Sequence, residues 1–293
     1  MKTLKKILGN IKRLWALRYK LVSPILRFGV WLAAAVVAFA IVFMVGYILI
    51  KGVPYLTPQL FSWKYNSENV SLLPALINTV LMTALALLIA APLGIFAAIY
   101  LVEYARRGNR LVAVIRMAAE TLSGIPSIVY GLFGGLFFVG ALRLGLSLIS
   151  GALTLAIMIL PLIMRTTEEA LLSVPDAFRE GSFGLGAGRL RTVFSVVLPS
   201  AVPGILAGVI LAVGRIVGET AALIFTAGTV ARIPMSITSS TRTLSVHMYL
   251  LSGEALYINQ TYATAVVLLL LVVGINALSS RVARKISGER IER

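Results

Sequence analysis

Val202-Pro-Gly-Ile-Leu-Ala-Gly-Val-Ile-Leu-Ala-Val-Gly-Arg-Ile-Val-Gly-Glu-Thr-Ala-Ala-Leu-Ile-Phe225 contains two ionisable residues, Arg215 and Glu219, in an otherwise apolar run. As one helix the run is roughly 36 Å long, enough to cross a hydrocarbon layer of about 30 Å. An ionisable side chain near a bilayer centre costs about 2.5–3.5 kcal/mol on insertion scales. Two such charges one helical turn apart are either an ion pair that pins helices together or a site the protein uses. The stretch points to an all-α polytopic membrane protein.

Composition extends that reading to the whole chain. Of 293 residues, 59% are apolar, and the mean hydropathy is +0.94; soluble domains are nearer 45–50% apolar. Cysteine is absent, which excludes disulfides and thiolate metal sites. The single histidine, His247, cannot form a histidine metal cluster and reads as a loop residue. A net charge of +16 invites a nucleic-acid partner. Nearly all the cations flank apolar spans, however, so the expected partner is the lipid bilayer and no nucleic acid is expected.

Residues 1–24 carry Lys2, Lys5, Lys6, Lys12, Arg13, Arg18 and Lys20 and no acid. The apolar run 25–50 that follows, roughly 39 Å as helix, exceeds the about 7–15 apolar residues of a secretory signal. It reads as a first, uncleaved transmembrane helix. An outer loop follows at 51–74, with Trp63 and Tyr65 as interfacial anchors. Residues 75–283 hold five more spans, at about 75–100, 121–142, 146–164, 201–227 and 262–280. Residues 284–293 form a tail. This six-span topology places 21 of the 27 Lys and Arg on one side, five on the other, and Arg215 within a span. The positive-inside rule then puts both termini in the cytoplasm.

The third span opens with Glu120-Thr-Leu-Ser-Gly-Ile-Pro-Ser-Ile-Val-Tyr-Gly-Leu-Phe-Gly-Gly135. Gly124 and Pro126 kink a helix. Gly131, Gly134 and Gly135 allow a neighbouring helix to approach closely. Arg116 and Glu120, four residues apart, read as an edge ion pair, and Arg165 as a helix-end anchor.

The longest cytoplasmic connection is 166–200. Thr166-Thr-Glu-Glu reads as a capped helix start, interrupted at Pro175. A second start at Pro175-Asp176 ends at Gly184, Gly186 and Gly188, which permit a reversal. A basic amphipathic piece, 189–199, follows. Two short helices at an angle, with Phe183 and Leu185 near the corner, suit docking in a groove of a cytoplasmic partner; an ordinary surface loop is the alternative.

Glu180-Gly-Ser-x-x-x-Gly186, nine residues, then Val196-x-Leu198-Pro199 resembles the EAA motif of ABC-importer permeases: Glu-Ala-Ala, three residues, Gly, nine residues, Ile-x-Leu-Pro. Gly181-Ser182 stand for Ala-Ala and Val196 for Ile. Over about 110–230 the strings Gly124-Ile-Pro-Ser-Ile-Val-Tyr-Gly-Leu-Phe-Gly134, Leu160-Pro-Leu-Ile-Met-Arg-Thr-Thr-Glu-Glu-Ala-Leu171 and Gly214-Arg-Ile-Val-Gly-Glu-Thr-Ala221 resemble the Pst phosphate-importer permeases, the PstA-like half more than the PstC-like half. The resemblance implies a type I (MetI-like) permease fold of six transmembrane helices in a bacterial inner membrane. Its coupling helix, Glu180, Gly181, Ser182, Phe183, Gly184, Leu185 and Gly186, would dock on an ATPase. It further implies a PstC-like sister permease, a dimer of PstB-like ATP-binding subunits carrying Mg-ATP, and a PstS-like extracytoplasmic phosphate-binding protein, with no cofactor on this chain.

Phosphate is a tetrahedral oxyanion, and in a low-dielectric path it needs a fixed positive charge. Arg stays protonated and donates two parallel hydrogen bonds. Arg215 therefore reads as the substrate-pathway cation. Glu219 at i+4 would hold its guanidinium in the absence of substrate, and Thr220, Ser123 and Ser127 would add neutral donors. Permeases of other oxyanions (molybdate, sulfate, phosphonate) fit the same residues, and a secondary transporter or channel is a further alternative. The chain shows no Walker A loop, His-Glu-x-x-His or Gly-x-Ser-x-Gly motif. It is therefore expected to be non-catalytic, with ATP hydrolysed by a partner.

Overall fold

The structure, a computed structural model, describes residues 2–106, 108–254 and 256–286. Arg107 and residues 287–293 of the expected tail lie outside the described residues. The chain divides into two compact units after Lys51. The first is made by α1 (Lys2–Gly52) up to Lys51, in which the basic segment and the apolar run form one continuous helix.

The second unit is helical throughout its described elements. It comprises α2 (Leu73–Ile99), α3 (Arg110–Ser123), α4 (Ser127–Gly134), α5 (Leu148–Leu172), α6 (Asp176–Gly184), α7 (Arg189–Thr192), α8 (Leu198–Val217), α9 (Ala221–Thr226), α10 (Leu244–Glu254) and α11 (Ile258–Ile286). Single π turns follow α2 (Tyr100–Tyr104), α4 (Gly135–Ala141) and α7 (Val193–Val197). Five stretches are long and apolar enough to cross a membrane; counting α3 with α4 and its π turn as one bent span gives six.

Three expectations change. The third span is not a kinked helix over 121–142: α3 and Ser127–Ala141 meet at 103°. Pro126 has no N–H to continue α3, and α3 is a 14-residue amphipathic helix whose start is capped by Asn109, which accepts from Leu111 N–H at 2.9 Å. The fifth span does not run unbroken from 201 to 227; α8 stops at Val217, and α9 begins after Gly218-Glu219-Thr220. Finally, the projecting loop is shorter than 166–200. Thr166 to Leu172 are the last turns of α5, and Arg189 to Val197 run into α8 as one long helix. Thr166 spends its hydroxyl on the carbonyls of Leu162 and Ile163 instead of capping a new helix. Only 173–188, with α6, projects.

The bundle is built around α5. Its buried face (Leu155, Met158, Ile159 and Ile163 among others) meets Met82, Ala86 and Ala90 of α2 and Ala212 and Ile216 of α8. Small residues allow the contact: a Cβ at Gly208 would collide with the Thr166 side chain, and one at Gly204 would lie 2.7 Å from Ala170 Cβ. Gly208 thus faces Thr166 and Gly204 faces Ala170, so α8 runs antiparallel to α5. As expected from sequence, Gly131, Gly134 and Gly135 let α9 approach α4. Gly131 lies against Ala222 and Gly134 against Thr226, which makes the two segments parallel.

At the end of the bundle away from α6, the loop between α9 and α10 folds back onto helix ends. Leu148 and Ile149, whose N–H groups have no partner within α5, donate to Ser239 and Ile237 carbonyls at 3.0 and 2.9 Å. Asn78 of α2 donates to the carbonyls of Arg232 and Arg242. His247 is not a loop residue: it is buried in α10, edge-on to Tyr65, whose ring face carries Arg242 at 4.5 Å. Burial first, and then the Arg242 charge, lower its pKa from 6.5 to about 3, against a smaller opposing effect of the Val70 backbone. His247 is therefore neutral at physiological pH.

The α5–α8 contact gives a direct test. Gly208→Val should lower the thermal midpoint of the purified protein by the equivalent of about 1–3 kcal/mol, the usual cost of overpacking. An unchanged midpoint would contradict the contact.

Candidate transport cavity and coupling helix

Arg215 sits in the last turn of α8, half-buried, seven residues or roughly 10 Å beyond Gly208. It lines a cavity of about 450 Å³ together with Arg116, Ala119, Glu120 and Ser123 of α3 and with Pro161, Leu162, Arg165, Thr166, Glu168 and Glu169 of α5. Arg116, Glu120 and Ser123 lie at helical spacing on one face of α3. The site is thus made by one face of α3, the middle of α5, and the end of α8.

The charges pair differently from the sequence expectation. Arg116 pairs with Glu168 across helices, not with Glu120 on its own helix. Arg165 pairs with Glu169 at 3.1 Å within α5 and faces the cavity; it is not a terminal anchor. Arg215 has no carboxylate partner among the described residues. Glu219 does not hold it, because the helix ends between them and the i,i+4 geometry is lost. The Glu219 carboxylate instead accepts from Ala222 N–H at 3.0 Å, capping α9, and its carbonyl accepts from Ser245 Oγ at 2.6 Å.

Of the five residues expected to line a pathway, Arg215 and Ser123 share the cavity. Glu219, Thr220 and Ser127 do not line it. Ser127 opens α4, and Thr220 points its hydroxyl to the Gly218 carbonyl at 3.4 Å. Sequence reading missed the paired charges of α3 and α5. Their positions on facing helices become visible only once Gly204 and Gly208 fix the packing of α8 on α5 and α3 folds over them.

The α6 helix is nine residues long, starts after Pro175, and has Asp176 in its first turn, where an acid favours the helix dipole. None of its residues is buried. Leu185 at its end is 91% exposed, and Phe183 and Phe178 are exposed beside it. Glu180, Gly181, Gly184 and Gly186 are exposed as well. Gly186 makes the reversal with φ +81°. A Cβ added at Gly181, Gly184 or Gly188 would meet nothing within 4 Å among the described residues. Ser182 faces inward, with its hydroxyl 2.8 Å from that of Thr192 in α7. The candidate docking surface is therefore the set Glu180, Gly181, Phe183, Gly184, Leu185 and Gly186, and Ser182 holds the two arms of the loop together.

Residues 90–288 match the family described as binding-protein-dependent transport system inner membrane component. Over 233 residues the chain is 39% identical to the probable ABC transporter permease protein YqgI of Bacillus subtilis, covering 74% of this chain and 79% of that one. It is 41% identical over 182 residues to the phosphate transport system permease protein PstA of Pasteurella multocida, covering 61% and 64%. Among solved structures it shares the fold of a chain of the MetNI methionine ABC transporter, with a TM-score of 0.55 at 22% identity, covering 73% and 93%. Permease subunits of this kind are non-catalytic, and a separate ATPase hydrolyses ATP. With its bent third span, its projecting α6 and this match over most of its length, the chain belongs to the binding-protein-dependent inner-membrane components, the permease subunits of ABC importers.

Proposed function

We propose that this chain is one of the two permease subunits of an ATP-driven importer of inorganic phosphate. The observation that carries the reading is Arg215. It is one of three arginines lining the cavity between α3, α5 and α8, and the one without a carboxylate partner among the described residues. The 41% identity to a phosphate permease supports the choice of anion.

In this reading the free guanidinium donates two hydrogen bonds to two phosphate oxygens. The paired Arg116 and Arg165 keep the net field modest, so the anion is bound and released in turn. Ser123, whose hydroxyl otherwise donates to the Glu120 carbonyl at 2.8 Å, is a neutral group on the same cavity wall. Both termini and α6 lie on the cytoplasmic side of a bacterial inner membrane. The exposed face of α6 docks on a PstB-like ATPase dimer carrying Mg-ATP. A PstC-like permease completes the pathway, and a PstS-like binding protein delivers phosphate from outside. Continuity of Arg189–Val217 as one helix lets movement at the α6 end reach Arg215 directly.

Two outcomes test the reading in the reconstituted importer. Arg215→Gln should lower phosphate uptake by about 10- to 100-fold, the loss of a charged hydrogen bond worth about 1.5–3 kcal/mol, with assembly and basal ATP hydrolysis retained. Uptake at the wild-type rate would remove Arg215 from the pathway. Competition with sulfate, molybdate and phosphonate should leave labelled phosphate uptake largely intact, and strong competition by one of them would reassign the substrate. Separately, Leu185→Arg, which the chain itself tolerates in open space, should leave the protein folded but lower uptake per ATP hydrolysed. An unchanged ratio would move the docking surface elsewhere.

A further inference from the structure

The α6 helix contributes no buried residue to the bundle, and a short isolated helix is unstable in water. A groove of about 850 Å³, lined by residues of the α2 π turn, the start of α3 and α6, runs beside it. Something other than core packing must hold it in place. Ser182 ties it to α7. The other tie is Arg179.

The Arg179 guanidinium makes five hydrogen bonds. Nε and Nη2 donate to one oxygen of Glu103, at 3.1 and 2.7 Å. Nη2 also donates to the Leu171 carbonyl at 2.9 Å, and Nη1 to the Val174 carbonyl at 2.8 Å and to Asp176 at 3.2 Å. Leu171 stands in the last turn of α5, where helix carbonyls lack intrahelical partners, and Val174 lies two residues beyond the end of that helix. Glu103 stands in the π turn that ends α2. The side chains of Arg179 and Glu103 are 15% and 9% exposed, so this pair is shielded from the screening that weakens surface bridges. One side chain thus ties α6 to the ends of α5 and α2. The covalent routes out of α6 are weaker constraints: one runs through Ser173–Pro175 to α5, the other through a glycine reversal to α7. No short chain connection reaches α2.

We propose that Arg179 and Glu103 are positioning residues for coupling, a polar clamp that makes α2 and α5 move with α6. A displacement imposed on the exposed face of α6 is then delivered to α2, α5 and α8 together, and these helices enclose the core beside the Arg215 cavity. Without the clamp, α6 would shift in its groove and pull on α5 and α8 through its two chain connections, and α2 would be left behind. The inference rests on α6 being the ATPase-contacting helix.

The absence of cysteine makes a direct test simple. Spin labels placed through Val102→Cys and Ala177→Cys report the α2–α6 separation in the assembled importer, without nucleotide and in an ATP-trapped state. The separation is expected to be the same in both states with Glu103 and Arg179 intact, and to shift or broaden on ATP trapping in Glu103→Gln and in Arg179→Lys. Uptake of labelled phosphate per ATP hydrolysed should fall about tenfold in each variant with assembly unchanged, as for other small misplacements of a working geometry. The double variant should be no worse than either single one. A separation that changes in the intact protein, or stays fixed in both variants, overturns the clamp. Leu185→Arg is the control: if it also leaves the ratio unchanged, α6 is not the contact helix and the proposal falls with that reading. A wild-type complex that moves no phosphate overturns the substrate alone, because the label distances need only ATP.

Discussion

In hydrocarbon no backbone N–H or C=O can be left without a partner, and the two helix breaks of this chain exist because specific side chains supply partners. Where α3 stops at Gly124-Ile125-Pro126, the hydroxyl of buried Tyr130 donates to the Leu122 carbonyl at 2.7 Å. Where α8 stops at Gly218-Glu219-Thr220, the Glu219 carboxylate takes the Ala222 N–H and Ser245 takes the Glu219 carbonyl. With both breaks repaired, α4 and α9 pack in parallel through Gly131 and Gly134. α3 then folds sideways, and Arg215 is left at the end of α8 facing the space this opens. The cavity is a consequence of the breaks.

The same economy of polar contacts governs the α6 end. Core packing ends where α5 ends, at Leu171 and Val174. Beyond it, Arg179, Glu103 and the Ser182–Thr192 pair hold the projecting segment, and its apolar residues Phe178, Phe183 and Leu185 stay exposed for a partner. The chain separates its tasks accordingly: apolar packing makes a rigid bundle around α5, and a few charge-assisted bonds join it to the lever.

Sequence carried the membrane class, the six-span count and the α6 motif, because hydropathy, span length and motif spacing are properties of the chain read linearly. Glycine-mediated packing of α4 was legible for the same reason. The breaks were less so. Gly124 and Pro126 signalled a change of direction but not its size, since an angle of 103° depends on what Tyr130 and α5 offer the freed ends. Glu219 misled because four-residue spacing implies contact only within an unbroken helix, and Gly218, a residue type that commonly ends helices, follows three glycines, Gly204, Gly208 and Gly214, that sit inside α8. Read linearly, Arg116 is half of an edge pair and Arg165 an anchor, and Arg179 carries no signal of its own. Their partners, Glu168, Glu169 and Glu103, belong in two of the three cases to other elements, a relation that linear spacing does not encode.

Arg215 faces a water-accessible cavity while its chain neighbours face the core. Because the protein has no cysteine, that orientation is read from the reactivity of Arg215→Cys, Ile216→Cys and Val217→Cys toward a charged, membrane-impermeant thiol reagent in the detergent-purified complex. Modification should be rapid at 215, rapid at Ser123→Cys across the cavity but slowed there by phosphate, and slight at 216 and 217, where the native residues are 2% and 1% exposed. An unreactive 215, or equal reactivity at all three positions, would contradict it.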